Sequence, residues 1–162
     1  MFLECTPLDF HISLHISPHG EDVATCGSLT RKCRTIDYAM NKVRENNITI
    51  ILETSLIESQ IYNVSKSISS RNCKIQYLRI EKDKTEGISP TIHGNNKPFI
   101  HQNENELYIE IESVNLINFF LLNALNHGIF NLSIFINDCT IYRTTPKPSS
   151  FIRIKTDYGF KV

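Results

Sequence analysis

The feature that most constrains this chain is an internal echo at an offset of 25 residues. Laying Leu107–Leu116 over Leu132–Ile141 matches Leu107 with Leu132, Ile109 with Ile134, Ile111 with Ile136, Val114 with Cys139 and Leu116 with Ile141. Leu78 and Ile80 repeat the pattern upstream, and Ile48 and Ile50 lie one comparable interval earlier, so the unit is irregular, at about 25 to 30 residues. The period inside Ile48–Leu52 and Ile75–Ile80 is two, which is that of a strand. A unit holding strands and no long helix cannot bury its own apolar row, and stacking on its neighbours completes the core. Secondary rows at Thr91–His93, Phe99–His101 and Phe151–Ile154 indicate more than one strand per unit. The expected fold is all-β: a right-handed parallel β-helix of about four to five coils. An antiparallel sandwich of short strands shares the composition but leaves the offset unexplained. In the β-helix, Ile109, Ile111, Ile134 and Ile136 point into one core in register, and Ile134→Asp is expected to unfold the chain.

A solenoid end exposes core and open backbone groups, so it needs a cap. Ile36, Ala39, Met40 and Val43 stand at helical spacing, with Thr35 or Arg34 near the cap position and Asp37 in the first turn. This predicts one short amphipathic helix over Thr35–Val43, acting as the lid. The expected organisation is residues 1–15 as a leader or first strand, an N-terminal cap over 16–45 and coils over 46–162. The last segment is still strand-like at residue 162, which leads us to expect further coils beyond it.

Seventeen basic residues balance seventeen acidic ones, so no global field draws the chain to nucleic acid or to an anionic membrane. The longest apolar stretch, near Leu116–Leu125, is interrupted by Asn118 and Asn123 and does not amount to a membrane span. The first residues carry Glu4 and Asp9 where a secretory signal would be apolar, so no signal peptide is visible. The cysteines and sequons nevertheless favour an extracellular or cell-surface location, with a natural start upstream.

Ser17-Pro-His-Gly-Glu-Asp22, Cys26-Gly27, Cys33-Arg-Thr-Ile36 and Ala39 together resemble the opening of the pectin-lyase-like β-helix domains of large surface proteins. Those domains open with a Gly-x-Asp turn, a Cys-Gly, a loop ending in Pro-Cys, Thr-Ile and an Ala-containing helix. The likeness covers Ser17–Val43, and Lys32 stands where the family usually has proline. It implies a right-handed parallel β-helix displayed outside the cell, within a longer adhesin-like chain. It does not imply catalysis, because that superfamily mixes polysaccharide lyases and hydrolases with passive scaffolds.

Cys26 and Cys33 flank a polar loop short enough to be closed by a disulfide, whereas their spacing is not that of a zinc site. Cys139 takes the repeat position of Val114, which favours a small buried side chain over a reactive thiol, and Cys5 and Cys73 leave an odd cysteine whatever the pairing. Asn47, Asn63 and Asn131 begin N-glycosylation sequons; Asn63, in the loop-like Gln60–Ser70 stretch, is the best acceptor, while Asn47 and Asn131 abut strands. His11 and His15 alternate with strand period and have no Glu between them, and His93 and His127 precede glycines as turn residues do, so no metal is expected.

A lyase of this fold needs a carboxylate cluster for calcium and a base, and a hydrolase needs two opposed carboxylates. The candidates, Glu81 with Asp83, Glu104 with Glu106, Glu110 with Glu112, and Asp138 near Arg143, form no multi-coil cluster in the sequence, and alternation makes Glu110 and Glu112 a solvated strand face. The expectation is therefore a non-catalytic extracellular scaffold without cofactor, binding a protein or a glycan on a cell surface. The alternatives are a polysaccharide lyase or hydrolase, and a spacer in a longer surface protein with no specific ligand.

Overall fold

The computed structural model describes residues 10–65, 75–102, 106–126, 131–144 and 151–156. Cys5, Cys73, Glu104 and His127 lie outside them. The chain winds as a right-handed parallel β-helix of three sheets. The five-stranded sheet stacks β1 (His11–Ile16), β2 (Asn47–Leu52), β4 (Tyr77–Lys82), β7 (Glu106–Glu112) and β10 (Asn131–Asn137) in that order, all parallel. A second sheet stacks β3 (Ile61–Asn63), β5 (Thr91–His93), β8 (Asn115–Ile117) and β11 (Ile141–Tyr142). A third stacks β6 (Pro98–Gln102), β9 (Phe120–Asn126) and β12 (Ile152–Thr156). Among the described residues these strands mark five coils.

The inward row of the large sheet is the repeat read in the sequence. Leu14, Ile50, Ile80 and Ile111 lie in one register line and Ile48, Leu78 and Ile109 in the next, all at most 1% exposed. Leu132, Ile134 and Ile136 pair with Leu107, Ile109 and Ile111 as the offset of 25 demands. Burial on that last strand is weaker than expected. Ile134 is only partly buried and Ile136 is 38% exposed, because β10 is the outermost strand of its sheet among the described residues and has core on one side only. Ile134→Asp therefore carries a smaller penalty than a fully buried carboxylate would.

The interval between register partners varies. His11 pairs with Asn47, Asn47 with Tyr77, Tyr77 with Tyr108 and Tyr108 with Ser133, spacings of 36, 30, 31 and 25. The longest interval holds the cap. His11–Ile16 is the first strand of the large sheet, ahead of the cap in sequence. Helix α1 (Ile36–Lys42) buries Ile36, Ala39 and Met40, and the Thr35 hydroxyl caps it by accepting from the Tyr38 amide at 3.2 Å. Asp37 fastens the helix to the segment just after β3 by accepting from the amide and hydroxyl of Ser65, at 2.9 and 2.6 Å. The helix thus closes the first end of the stack.

Polar turns stack as the strands do. Ser113 and Asp138 both have positive φ, 55° and 50°, at the same corner one coil apart, and the Ser113 hydroxyl donates to Asp138 at 3.0 Å. Asn118, 5% exposed, satisfies its amide on Thr144: Nδ2 donates to Oγ1 at 2.7 Å, and Oδ1 accepts from the Thr144 amide at 2.9 Å. Such ladders account for asparagine at corners that a simple apolar repeat would leave unexplained.

Candidate functional site

The residues of the opening motif are structural. Gly20 lies so close to the cap that a Cβ there would sit 2.6 Å from the carbonyl oxygens of both Lys32 and Cys33. Asp22 accepts from the amides of Arg34 and Thr35 and from the Thr35 hydroxyl, which fixes the entry to α1. Cys26 and Cys33 are joined, with Cα atoms 4.9 Å apart. Lys42 ties the helix to this loop by donating to the backbone carbonyls of Ala24 and Cys26.

Against this cap a groove of about 580 Å³ opens where β1, β2 and β4 end. Ile16, Ile51 and Leu29 give it an apolar side; His15, Lys32, Glu53, Glu81, Lys82 and Asp83 supply the charge. Glu53 is its hub. It pairs with Lys32 at 2.5 Å and accepts from the Ser17 hydroxyl, so one carboxylate joins the first coil, the disulfide loop and the second coil. Burial acts to raise its pKa, but the hydrogen bonds from Lys32 and Ser17 outweigh it and hold the carboxyl below the usual range. Beneath it, Tyr62 is 3% exposed and donates to the Glu53 carbonyl at 2.8 Å; burial, then the charges of Glu53 and Asp83, push its phenol well above the ordinary range. Partial burial, and after it the Lys32 charge, hold the His15 imidazole below its ordinary pKa. Asp83 accepts from the hydroxyls of Thr54 and Thr85 at 2.8 and 2.6 Å.

The outer face of the large sheet adjoins the groove. Arg79 gathers three carboxylates, Glu81 at 2.7 Å, Glu110 at 3.5 Å and Glu112 at 2.7 Å, across two neighbouring strands. Glu110 and Glu112 do lie on the solvent side, but as members of this network and not as free charges. Beside it runs a line of rings: His11 edge-on to Tyr77 at 5.8 Å, Tyr77 stacked on Tyr108 at 5.2 Å, and Tyr108 tilted against Phe135 at 5.2 Å. Tyr77's phenol is pushed up, first by burial.

The other residues singled out in the sequence are dispersed. His11 bonds Thr49 at 2.8 Å and His15 faces the groove, so the two histidines have separate duties. His93 is exposed at the end of β5, and Glu106 is exposed at the start of β7. Asp138 is engaged by Ser113. Cys139 is a free, partly buried thiol whose pKa is pushed up by burial. Among the described residues the one grouping of three ligand-type side chains is Asp22, Cys26 and Cys33, and its two sulfurs are spent in the disulfide.

The sequons occupy three different settings. Asn47 opens β2 and is half-buried between β1 and β4. Asn131 is exposed at the start of β10. Asn63 is exposed but is the last residue of strand β3 and not part of a loop, because the backbone stays paired to β5 through His93.

Sequence reasoning singled out Glu81 and Asp83 but missed Glu53 and the part played by Lys32. The signal was present: Ser17 and Glu53 are 36 residues apart, the same interval as His11 to Asn47, and Lys32 is the departure from the family's proline. No helix among the described residues is long and apolar enough to cross a membrane. Comparison with protein-family models, with characterised proteins and with solved structures gave no match. What the structure supports is the fold alone, an all-parallel three-sheet solenoid.

Proposed function

We propose that this chain is a non-catalytic extracellular scaffold of the pectin-lyase-like kind, which offers the outer face of its large sheet and the adjoining groove to a protein or glycan on a cell surface. The observation that carries this reading is the pairing of charge on that face. Arg79 holds Glu81, Glu110 and Glu112, and Lys32 holds Glu53 in its ionised form. Lyase or hydrolase chemistry needs a carboxyl or base poised to exchange a proton, and a carboxyl held below its usual range by two hydrogen bonds is ionised at neutral pH, with no proton to donate and little basicity to take one up. A face on which one arginine ties down three carboxylates beside a line of rings suits contact instead. The Cys26–Cys33 bridge supports an oxidising compartment, and Asn63 and Asn131 are the exposed sequon asparagines.

The test pairs two assays on the disulfide-bonded chain. Binding to a glycan and cell-surface protein array, weakened at least tenfold by Tyr108→Ala and Arg79→Ala, is the expected result. Release of unsaturated or reducing ends from pectin, alginate or related acidic polymers, with or without calcium, would overturn the proposal, above all if Glu53→Gln abolished it.

A further inference from the structure

We propose that the groove beside the cap is a peptide site, which takes a large aliphatic side chain flanked by carboxylates from an exposed segment of a partner protein. The inference rests on reading the chain as a contact scaffold, and names what that groove holds. Its charges are unevenly satisfied. Each carboxylate that lines it is engaged: Glu53 by Lys32 and Ser17, Glu81 by Arg79, and Asp83 by the hydroxyls of Thr54 and Thr85. Lys82 and Lys84 line it as well, and among the described residues neither enters an ion pair. The unmatched charge is therefore positive, and a ligand that brings carboxylates complements it.

The apolar side of the groove is built for an aliphatic group. Leu29 is 67% exposed, yet it stands on the loop closed by Cys26 and Cys33, where the Ser28 hydroxyl accepts from the Arg31 amide at 3.1 Å. That wall is held in place before a ligand arrives, which lowers the ordering cost of binding. Ile51 is the aliphatic member of an outward register line that otherwise runs His15, Glu81, Glu112 and Asn137. An isoleucine on the polar side of a strand and an exposed leucine on a pinned loop, with buried Ile16 beneath, offer one side chain a place out of water. The volume, about 580 Å³, is that of a site for a short segment and not for a folded face.

A sugar fits less well. Its C–H faces pack on the negative faces of aromatic rings. Among the described residues that line the groove there is no tyrosine or phenylalanine. In the adjoining ladder Tyr77 and Tyr108 lie 12° from parallel and cover each other's faces, leaving their edges outward.

The test is a titration of the isotope-labelled, disulfide-bonded chain, followed by amide resonances, with the blocked peptide Gly-Asp-Leu-Asp-Gly. Saturable shifts grouped at His15, Leu29, Ile51, Lys82 and Lys84 are expected, with a dissociation constant of about 1 mM or tighter. Gly-Asn-Leu-Asn-Gly and Gly-Asp-Gly-Asp-Gly should each bind at least tenfold more weakly, which separates the charged from the apolar contribution without altering the protein. K82Q/K84Q and Leu29→Ala, folded by circular dichroism, should each weaken the first peptide at least tenfold. Absence of saturable shifts, shifts elsewhere on the chain, control peptides that bind equally well, variants that bind as wild type, or a galacturonate hexamer that occupies the groove more tightly than the peptide would each overturn the inference. Failure here with Tyr108- and Arg79-dependent array binding intact leaves the contact reading standing, whereas loss of both removes both.

Discussion

Ile109→Ala is the perturbation whose cost the coil stack predicts most sharply. Ile109 is fully buried, lies in register between Leu78 on one side and Ile134 on the other, and points into the core shared by all three sheets. Removing three carbons forfeits about 0.8 kcal/mol each in transfer free energy, about 2.4 kcal/mol. The cavity cannot collapse, because hydrogen-bonded strands hold both neighbours, so the total should reach about 3 to 4 kcal/mol. Ile136→Ala makes the same chemical change where the side chain is 38% exposed and has core on one side only, and should cost under about 1.5 kcal/mol. Urea titration by circular dichroism reads the difference. With a urea slope of about 1.5 to 2 kcal/mol per molar, the midpoint should fall by about 2 M for Ile109→Ala and by less than about 1 M for Ile136→Ala. Equal losses at the two positions, or a loss below about 1 kcal/mol at Ile109, would refute the stacking argument.

Three further outcomes are expected. An unreduced digest analysed by mass spectrometry should contain Cys26 linked to Cys33, and replacing both by alanine should cost about 2.5 kcal/mol for a loop this short; two free thiols in protein from an oxidising compartment would contradict it. Acid should loosen the cap. Glu53's folded pKa lies below its unfolded value near 4.5, so its contribution is complete above that value and is lost as pH falls through the folded pKa; His15, held below 6.5, must take up a proton at a cost as pH falls beneath 6.5, in the same direction. Thermal melts should therefore fall from pH 7 toward pH 4, and Glu53→Gln should lower the neutral value and flatten the acid limb, whereas an unchanged acid limb would deny Glu53 its role as hub. Gly20→Ala forces a methyl against two backbone carbonyls and should cost about 1 to 3 kcal/mol in a denaturant titration; a neutral result would mean that the turn does not pack on the cap as described.

The match of Leu107–Leu116 to Leu132–Ile141 was the most legible because β7 and β8 pass to β10 and β11 at one unbroken offset of 25, with insertion only further on, where Leu122 pairs with Ile152 at an offset of 30. Upstream, the polar stretches after β2 and β4 lengthen the coil to 30 and 31 residues, which blurs the period without changing the strand alternation. His11–Ile16 alternates as clearly as any strand, yet the cap standing between it and β2 stretches the interval to 36, and a single strand at the start of a chain carries no offset of its own to betray it. The site was less legible than the fold. Glu53, Lys32, Ser17 and His15 come from separate segments, and what unites them is an ion pair and a hydrogen bond across coils, for which neither periodicity nor local spacing leaves a mark. The Arg79 network was hidden for the same reason: alternation shows that Glu110 and Glu112 face outward, but not that the neighbouring coil offers them an arginine.

The parallel stack in register is the claim on which the groove and the ring ladder both depend, and a single distance tests it. Ser13 on β1 and Phe135 on β10 occupy the same outward register line, Ser13–Thr49–Arg79–Glu110–Phe135, four strand spacings apart. Both are exposed and accept spin labels through S13C/F135C, in a background where Cys5, Cys73 and Cys139 are serine. Pulsed electron resonance should give one narrow distribution centred near 20 Å, from four steps of about 4.8 Å. A distribution centred beyond about 30 Å, or several populations, would place β1 and β10 in different sheets and contradict the β-helix.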